Sequence, residues 1–379
     1  MARRAADARV ASVATPTAGL VVYGDLDTRS GGYRYDRELA DHLRERGWEV
    51  AVVSLPERPW SLPAALAPGL AARLEACDVV VADAYCAPSL YCTIRGLETP
   101  VVALVHYLRS AAGSDEHRGW VDRTVERAFF AAADAFVYNS EPTRAAVERL
   151  CSGLAESPGN ACGSVSVVGS PAIVAPPAGD RLGSAPAFTA DAGRPDPFRV
   201  VAVGTVTPRK GIDTLVRGLS RLVDVDWRLQ VVGETTTDPG HTAELRALTD
   251  RLGVAEAVTF TGRVSDAALR AALQRAHVLA VPSRYEPFGI VYVEGMAFGL
   301  PAIASTNGGA SDVVNAENGA LVPPADPDAV ADAIEPLATN PTRLARASRA
   351  ARETAAAHPT WTVTCDRIRR FLAAIVDDH

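Results

Sequence analysis

A few short stretches of the 379-residue chain combine residue types whose spacing suits chemistry. The strongest is Arg284-Tyr285-Glu286-Pro287-Phe288-Gly289-Ile290, continued by Val291-Tyr292-Val293-Glu294-Gly295. It follows an apolar run ending near Pro282, so it stands at the carboxyl end of an expected strand. Pro287 and Gly289 suit a turn into a helix whose first N–H groups have no helical partner, and such a helix start attracts anions. Glu286 precedes that helix and Glu294 lies within it, so one carboxylate can meet a ligand's head and the other a more distant part. Taken singly, each has an ordinary reading: a complement to the helix dipole and a solvated helix residue.

The second stretch is Gly204-Thr205-Val206-Thr207-Pro208-Arg209-Lys210-Gly211, again between a strand and a helix. An arginine beside a lysine at a glycine-bounded turn suits a diphosphate, the guanidinium as a planar fork and the ammonium as a mobile point charge. The Gly-Lys-Ser/Thr ending of a P-loop is missing. Arg-Lys pairs usually sit in solvated turns, but Lys210 is the single lysine among 38 basic residues. Weaker signals are Ser30-Gly31-Gly32, whose glycines allow backbone to approach a phosphate or sugar, and His106, placed just after an expected strand. Ser140, in Tyr138-Asn139-Ser140-Glu141-Pro142-Thr143, reads as a helix N-cap with a mainly structural role. The aspartate pairs Asp25/Asp27, Asp224/Asp226 and Asp326/Asp328 have the character of turns and caps more than of a metal site.

Two series of short apolar runs position these residues. The first comprises Leu20–Gly24, Glu49–Ser54, Asp78–Ala82, Pro100–Val105, Ala135–Tyr138 and Ser166–Val168. The second comprises Arg199–Gly204, Arg228–Gly233, Ala257–Thr261, Val278–Pro282, Ala302–Ala304 and Ala320–Val322. Helical patterns separate the runs, such as Tyr35/Leu39/Leu43, Val147/Leu150/Leu154 and Ile212/Leu215/Val216/Leu219/Leu222. Buried runs alternating with helices mark parallel sheets covered on both faces. The expectation is α/β: two Rossmann-like doubly wound parallel-sheet domains facing a cleft, at residues 18–175 and 198–358. A Pro/Ala/Gly-rich stretch over 171–197 supplies a linker, taken as 176–197, and residues 359–379 form a terminal amphipathic helix in need of a surface.

Composition narrows the function. The net charge of −7 argues against a nucleic-acid binder, and no apolar run approaches the ~20 residues of a membrane span. The six cysteines show neither zinc spacing nor the setting of a disulfide framework. The first residues, through Ala18, have no apolar signal core and read as a loose tail, so the expectation is a reduced cytoplasmic protein. The missing Gly-x-Gly-x-x-Gly lowers a nicotinamide enzyme.

Together the motifs resemble the retaining glycosyltransferases of the GT-B architecture, family 4, or glycosyl transferases group 1. The resemblance is dense from Val200 to about Pro324. It rests on Glu286 and Glu294, the Gly-Thr…Arg-Lys-Gly turn, Asn307-Gly308-Gly309, and Thr261-Gly262-Arg263-Val264, which looks like the family's nucleobase loop. The first half matches more loosely, through Gly31-Gly32, His106 and Tyr138-Asn139-Ser140.

What the resemblance implies is hexose transfer from a nucleoside-diphosphate sugar to an acceptor hydroxyl, with retention and without a metal or other cofactor. Arg209 and Lys210 would hold the diphosphate, Glu294 the ribose, Arg263 and Val264 the base. Glu286, with the amides of Phe288, Gly289 and Ile290, would orient the sugar. Gly31 and Gly32 would approach from the other lobe, His106 would touch the sugar, and the terminal helix would cross back onto the first domain. The departures are Asp312, where the family often has Glu, with an expected effect on local packing only, and longer loops at 25–29 and 233–240. Other readings are a nucleotide-sugar epimerase and a non-catalytic nucleotide-sugar sensor. The acceptor is open among glycan, lipid-linked and small molecules. Arg118, Trp120, Arg123, Arg127, Phe129 and Phe130 raise a peripheral contact with the inner membrane face, countered by Asp122 and Glu126 diluting the charge.

Overall fold

A computed structural model describes residues 15–28, 30–56, 69–111, 116–152, 167, 169–184 and 197–379. The first lobe holds strands β1 (Thr17–Tyr23), β2 (Glu49–Leu55), β3 (Val79–Asp83), β4 (Val101–Val105), β5 (Ala135–Tyr138) and β6 (Ala172–Val174). Its helices are α1 (Gly31–Glu45), α2 (Leu70–Glu75), α3 (Ala87–Leu90), α4 (Glu116–Phe130) and α5 (Glu141–Ser152). The second lobe holds β7 (Phe198–Val203), β8 (Trp227–Val232), β9 (Val258–Gly262), β10 (Val278–Val281), β11 (Ala302–Ser305) and β12 (Gly319–Val322). With them run α6 (Ile212–Leu219), α7 (Pro239–Arg251), α8 (Asp266–Arg275), α9 (Ile290–Ala297), α10 (Pro327–Thr339), α11 (Pro341–Ala357) and α12 (Trp361–Asp377).

Each lobe is one six-stranded sheet, ordered β2-β1-β3-β4-β5-β6 and β12-β11-β10-β7-β8-β9. All the strand pairs are parallel, with Leu20 opposite Val52 on one side and Val81 on the other. The apolar runs explain this: β3, β4 and β5 are buried at every position, as only strands covered on both faces can be. Two apolar clusters accordingly flank each sheet. Chain order reverses between β1 and β3 and between β7 and β10. At such points the connections leave the carboxyl ends in opposite directions and open a crevice.

The terminal helix α12 finds its surface on the first lobe. Trp361, Cys365, Ile368 and Leu372 are buried with Leu39 and Leu43 of α1 and with Leu20 and Val79 of the sheet. The sixth strand departs from expectation. Ala172–Val174 pairs with β5, in the proline-rich stretch just before the linker taken as 176–197, and Val167, in the run expected as a strand, is only a bend. Ser166 and Val168 lie outside the described residues, as do Leu154, the first fourteen residues and 185–196 of the expected linker. The linker's first part, 176–184, is packed against α9: Leu182 is buried, and a Cβ on Gly179 would stand 2.7 Å from the Glu294 backbone nitrogen. Proline there ends the strand without preventing burial.

His277, just before β10, accepts a hydrogen bond from the Arg199 amide at Nδ1 (2.9 Å) and must be neutral to do so. Burial, with Arg199 adding to it, lowers its pKa to about 4. Between its unfolded value of ~6.5 and about 4 the unfolded chain therefore binds the extra proton, and stability falls as pH falls through that window, by at most about 1.4 kcal/mol per pH unit. Chemical denaturation at pH 7 and pH 5 is expected to show a larger loss in the wild type than in His277→Asn, which keeps an acceptor but does not titrate. Equal losses would remove His277 from the acid dependence.

Candidate functional site

The two halves of the second lobe's switch point each contribute one charged turn. After β7 the chain makes a 3-10 turn, Pro208–Lys210, and after β10 it runs through Ser283 to Gly289 into α9. Gly211, with φ 66°, sits so close to the second turn that a Cβ would stand 2.2 Å from the Pro282 carbonyl oxygen. That approach brings the Lys210 ammonium to 2.5 Å from Glu286 Oε2. The Ser283 hydroxyl donates to the same oxygen at 3.1 Å, and the Arg209 guanidinium lies 3.6 Å from it. Arg209 also donates to the Tyr285 carbonyl at 3.0 Å.

Lys210 and Glu286 are 9% and 7% exposed, so water does little to screen them. Burial opposes the Glu286 carboxylate, but Lys210 and Arg209 outweigh it and hold its pKa below the usual range. Burial lowers the Lys210 pKa, and Arg209 adds to that against the pull of Glu286. The site is therefore a charged triad, and its one carboxylate is committed to two cations.

The loop after β11 clamps the second turn. The Glu286 amide donates to the Asn307 carbonyl (3.1 Å) and Gly309 donates back to the Glu286 carbonyl (2.8 Å). Neither glycine of Asn307-Gly308-Gly309 can carry a side chain without displacing this turn: a Cβ on Gly308 or Gly309 would stand 2.0 Å from the Glu286 or Pro287 carbonyl oxygen. The first lobe completes the clamp. Ser140 caps α5, accepting from the Thr143 amide at 3.1 Å, and its hydroxyl donates across the lobes to the Pro287 carbonyl at 3.0 Å. Asp312 accepts from the Glu141 amide at 2.9 Å. Both roles differ from expectation: Ser140 is more than a cap, and Asp312 does more than pack locally, because it reaches the other lobe's helix start.

On the first lobe the glycine pair forms the opening turn of α1, not a free loop, with Ser30 as N-cap. A Cβ on Gly31 would be 3.6 Å from Ile290 Cδ1, the first residue of α9, and one on Gly32 would be 3.7 Å from the His106 ring. His106, at the end of β4, is buried and lies 2.8 Å from Asp36 Oδ1 of α1. Burial and the neighbouring Asp36 push nearby Asp83, at the end of β3, up to about 7.

The remaining expected residues stand apart from the triad. Glu294 is buried on α9 and held by Arg181, whose Nε lies 3.0 Å from Oε1, while another nitrogen of the same guanidinium pairs with Asp266. Burial raises the Glu294 pKa, and Arg181 pulls the other way. Phe288 turns inward against the His358 ring, leaving its backbone to the turn. Arg263 and Val264 follow the edge strand β9, and Arg263 pairs with Glu234 at 3.3 Å, at the head of the long 233–240 loop. Among the aspartate pairs, Asp25 accepts from the Asp27 amide and Asp326 caps α10. Among the described residues no group of three or more His, Cys, Asp or Glu is arranged to hold a metal ion.

On α4, Trp120 is 65% exposed and Arg123 is exposed beside it, whereas Phe129 and Phe130 are buried and Arg127 donates to the Leu150 carbonyl. The Arg118 side chain lies outside the described residues. Asp122 and Glu126 face inward, Glu126 accepting from the Arg109 amide, so they do not dilute the exposed face as the sequence suggested. Among the described residues no helix is long and apolar enough to cross a membrane.

The sucrose-phosphate synthase of Thermosynechococcus elongatus superposes on 96% of the chain, and all of its own chain is covered, with a TM-score of 0.78 at 22% identity. Anabaena Alr3699/HepE, solved with UDP and glucose, covers 95% with its whole chain at 0.70 and 18%. The fold is GT-B. By sequence, residues 188–354 match the family of glycosyl transferases group 1, a span that includes Lys210, Glu286 and Glu294. Mycobacterium tuberculosis glycogen synthase is 28% identical over 73% of the chain. A GDP-mannose-dependent alpha-(1-6)-phosphatidylinositol monomannoside mannosyltransferase of the same species is 35% identical over 46%. The chain spans 64% of the first relative's length and 46% of the second's.

The cross-lobe contact in this GT-B chain has a measurable signature. Ser140→Ala, which removes a cap and the donor to Pro287, is expected to cost about 1–2 kcal/mol. Gly309→Ala, which drives a methyl into the same carbonyl, is expected to cost about 1–3 kcal/mol. Because both act on one oxygen, chemical denaturation of the double variant should show a cost at least ~0.5 kcal/mol from the sum. Additive costs would mean that the two contacts are independent.

Proposed function

We propose that the protein is a hexosyltransferase that moves a sugar from a nucleoside-diphosphate donor to an acceptor hydroxyl, with retention of configuration and without a metal. The observation that carries this reading is the triad of Arg209, Lys210 and Glu286, with its Lys210–Glu286 pair buried, beside the start of α9 at the switch point of the second sheet. Loss of a nucleoside diphosphate develops negative charge on the leaving oxygen. Fixed cations and free helix amides at that place stabilise the transition state more than the ground state. The arriving diphosphate takes up Lys210 and Arg209, and Glu286, released in part from them, accepts hydrogen bonds from the sugar hydroxyls. The amides of Phe288, Gly289 and Ile290 line the same turn.

In this reading the ribose falls to Glu294, which is paired with Arg181 at 2.9 Å, and the base to Arg263 and Val264. Gly31 and Gly32 let the first lobe close on the phosphates, with His106 behind them. In this reading the side-chain cations do the work a metal does elsewhere. The relatives support the class: one is named a glycogen synthase, another a GDP-mannose-dependent mannosyltransferase, and the HepE structure holds UDP and glucose. A cytoplasmic enzyme touching the inner membrane face through Trp120 and Arg123 accommodates a lipid-linked acceptor.

Thermal unfolding with UDP, GDP and ADP, each against wild type, Arg209→Ala and Lys210→Ala, tests the donor. A nucleotide at ~100 times its dissociation constant adds about 2.7 kcal/mol to the native state. One nucleotide is expected to shift the wild type and neither variant. A shift with none of the three removes the donor reading. Incubation of the corresponding nucleotide sugar, with and without acceptors and in the presence of a chelator, should give transfer that needs an acceptor and survives chelation. An epimerised donor formed without any acceptor would replace transfer with epimerisation.

A further inference from the structure

The first lobe carries a buried ionisable cluster of His106, Asp36 and Asp83, in which the proposed donor site gives the two aspartates no role. We propose that Asp36 is a positioning residue that locks the His106 ring through Nε2 and keeps it cationic, so that its Nδ1–H is a third positive group at the donor's leaving end. This inference rests on the donor reading for its ligand but not for its geometry.

Three observations carry it. The Nε2–Oδ1 distance is 2.8 Å and both residues are buried, Asp36 wholly and His106 with 8% exposure. A helix face otherwise built of Tyr35, Leu39, Ala40, Leu43 and His42, the last turned to Asp366, therefore spends a charged position on holding one ring. Asp36 Oδ2 has no hydrogen-bond partner, so His106 is the bonded partner the structure gives this carboxylate. A buried carboxylate so placed is stabilised chiefly by a positive neighbour.

The ring is also fixed from other sides. Tyr35 meets it edge-on with centroids 4.6 Å apart, and Asn139 donates to the His106 carbonyl at 2.9 Å. With Nε2 engaged, Nδ1 is the ring nitrogen left for a ligand. Gly32 borders the ring and Gly31 borders Ile290, so the imidazole stands a glycine pair away from the first turn of α9. A side chain at either glycine would fill the space between them.

The groups around the ring set its charge. From α1 come Asp36 and Tyr35, from the end of β3 Asp83, and from the segment after β4 Arg109, which is directed at the Tyr85 ring. Burial disfavours a charged His106, but Asp36, with Asp83 behind it, outweighs burial and raises its pKa. A general base for the acceptor would have to be neutral, whereas a cation suits a leaving diphosphate, so the ring serves the leaving group.

Imidazole NMR of the full chain, following His106 from pH 5 to 9 and assigned by its loss in His106→Gln, tests this. Asp36→Asn keeps the size and a hydrogen-bonding oxygen but removes the charge. The His106 midpoint is expected to fall by about one pH unit or more in Asp36→Asn. Whichever of UDP, GDP and ADP stabilises the wild type should raise the wild-type midpoint, since an anion beside Nδ1 favours the cation. Equal midpoints in the two proteins, or a midpoint unmoved by that nucleotide, overturn the proposal. If Asp36→Asn does not fold, a wild-type midpoint below the ordinary ~6.5 overturns it and one above supports it. If no nucleotide binds, the donor reading fails by itself, and the comparison of midpoints still decides the role of Asp36.

Discussion

One lysine and one glutamate share a volume that water scarcely enters, and each needs the other there. Transferring either charge alone into such a place costs several kcal/mol, and removing one partner strands the other. The 2.5 Å contact between Lys210 and Glu286 therefore fixes more than itself. It ties the turn after β7 to the turn after β10, the two strands between which chain order reverses. That tie needs Gly211 to press on Pro282, and it needs the Asn307-Gly308-Gly309 backbone to hold Glu286 from behind. Ser140 and Asp312 then fasten the same turn to the other lobe. Most of the elements that meet at the cleft can be traced to the demand that this pair stay dry and stay paired.

The sheet architecture was largely legible because it follows from local pattern. Runs such as Val101–Val105, with no polar residue, can be buried only in a strand covered on both faces. Their alternation with amphipathic helices leaves a doubly wound sheet as the economical solution. The sixth strand escaped because Ala172–Val174 lies between prolines, where local composition speaks for a turn, while pairing with β5 is a long-range matter. Its outcome was decided by an available sheet edge, which no local window records.

The site was legible where chemistry needs unusual residues close together in sequence. Lys210, alone among arginines, and Glu286 before a Pro-x-Gly turn stood out for that reason. What could not be read were contacts between distant segments: Ser140 to Pro287, Asp312 to Glu141, Arg181 to Glu294. A serine N-cap explains itself locally, so nothing in its surroundings announces a second bond across the cleft. Asp36 had a faint signal, a charged residue on the apolar face of a helix that includes Tyr35, Leu39 and Leu43. Arg181 had none, since an arginine in a proline-rich stretch reads as solvated.

The return of the C-terminal helix has a mechanical consequence. The chain passes between the lobes twice, once after β6 and once between α11 and α12. The two passages are laced together: His358 Nε2 lies 2.9 Å from the Pro177 carbonyl, and Thr364 and Arg367 donate to the carbonyls of Pro176 and Val174 at 2.8 Å. Two adjacent crossings behave like the paired knuckles of a door. They resist sliding and twisting of one lobe against the other and leave swinging about a single line as the easy motion. Such a swing would be smallest beside the knuckles and largest at the far rim of the cleft, so groups near the knuckles would keep their alignment while the rim opens.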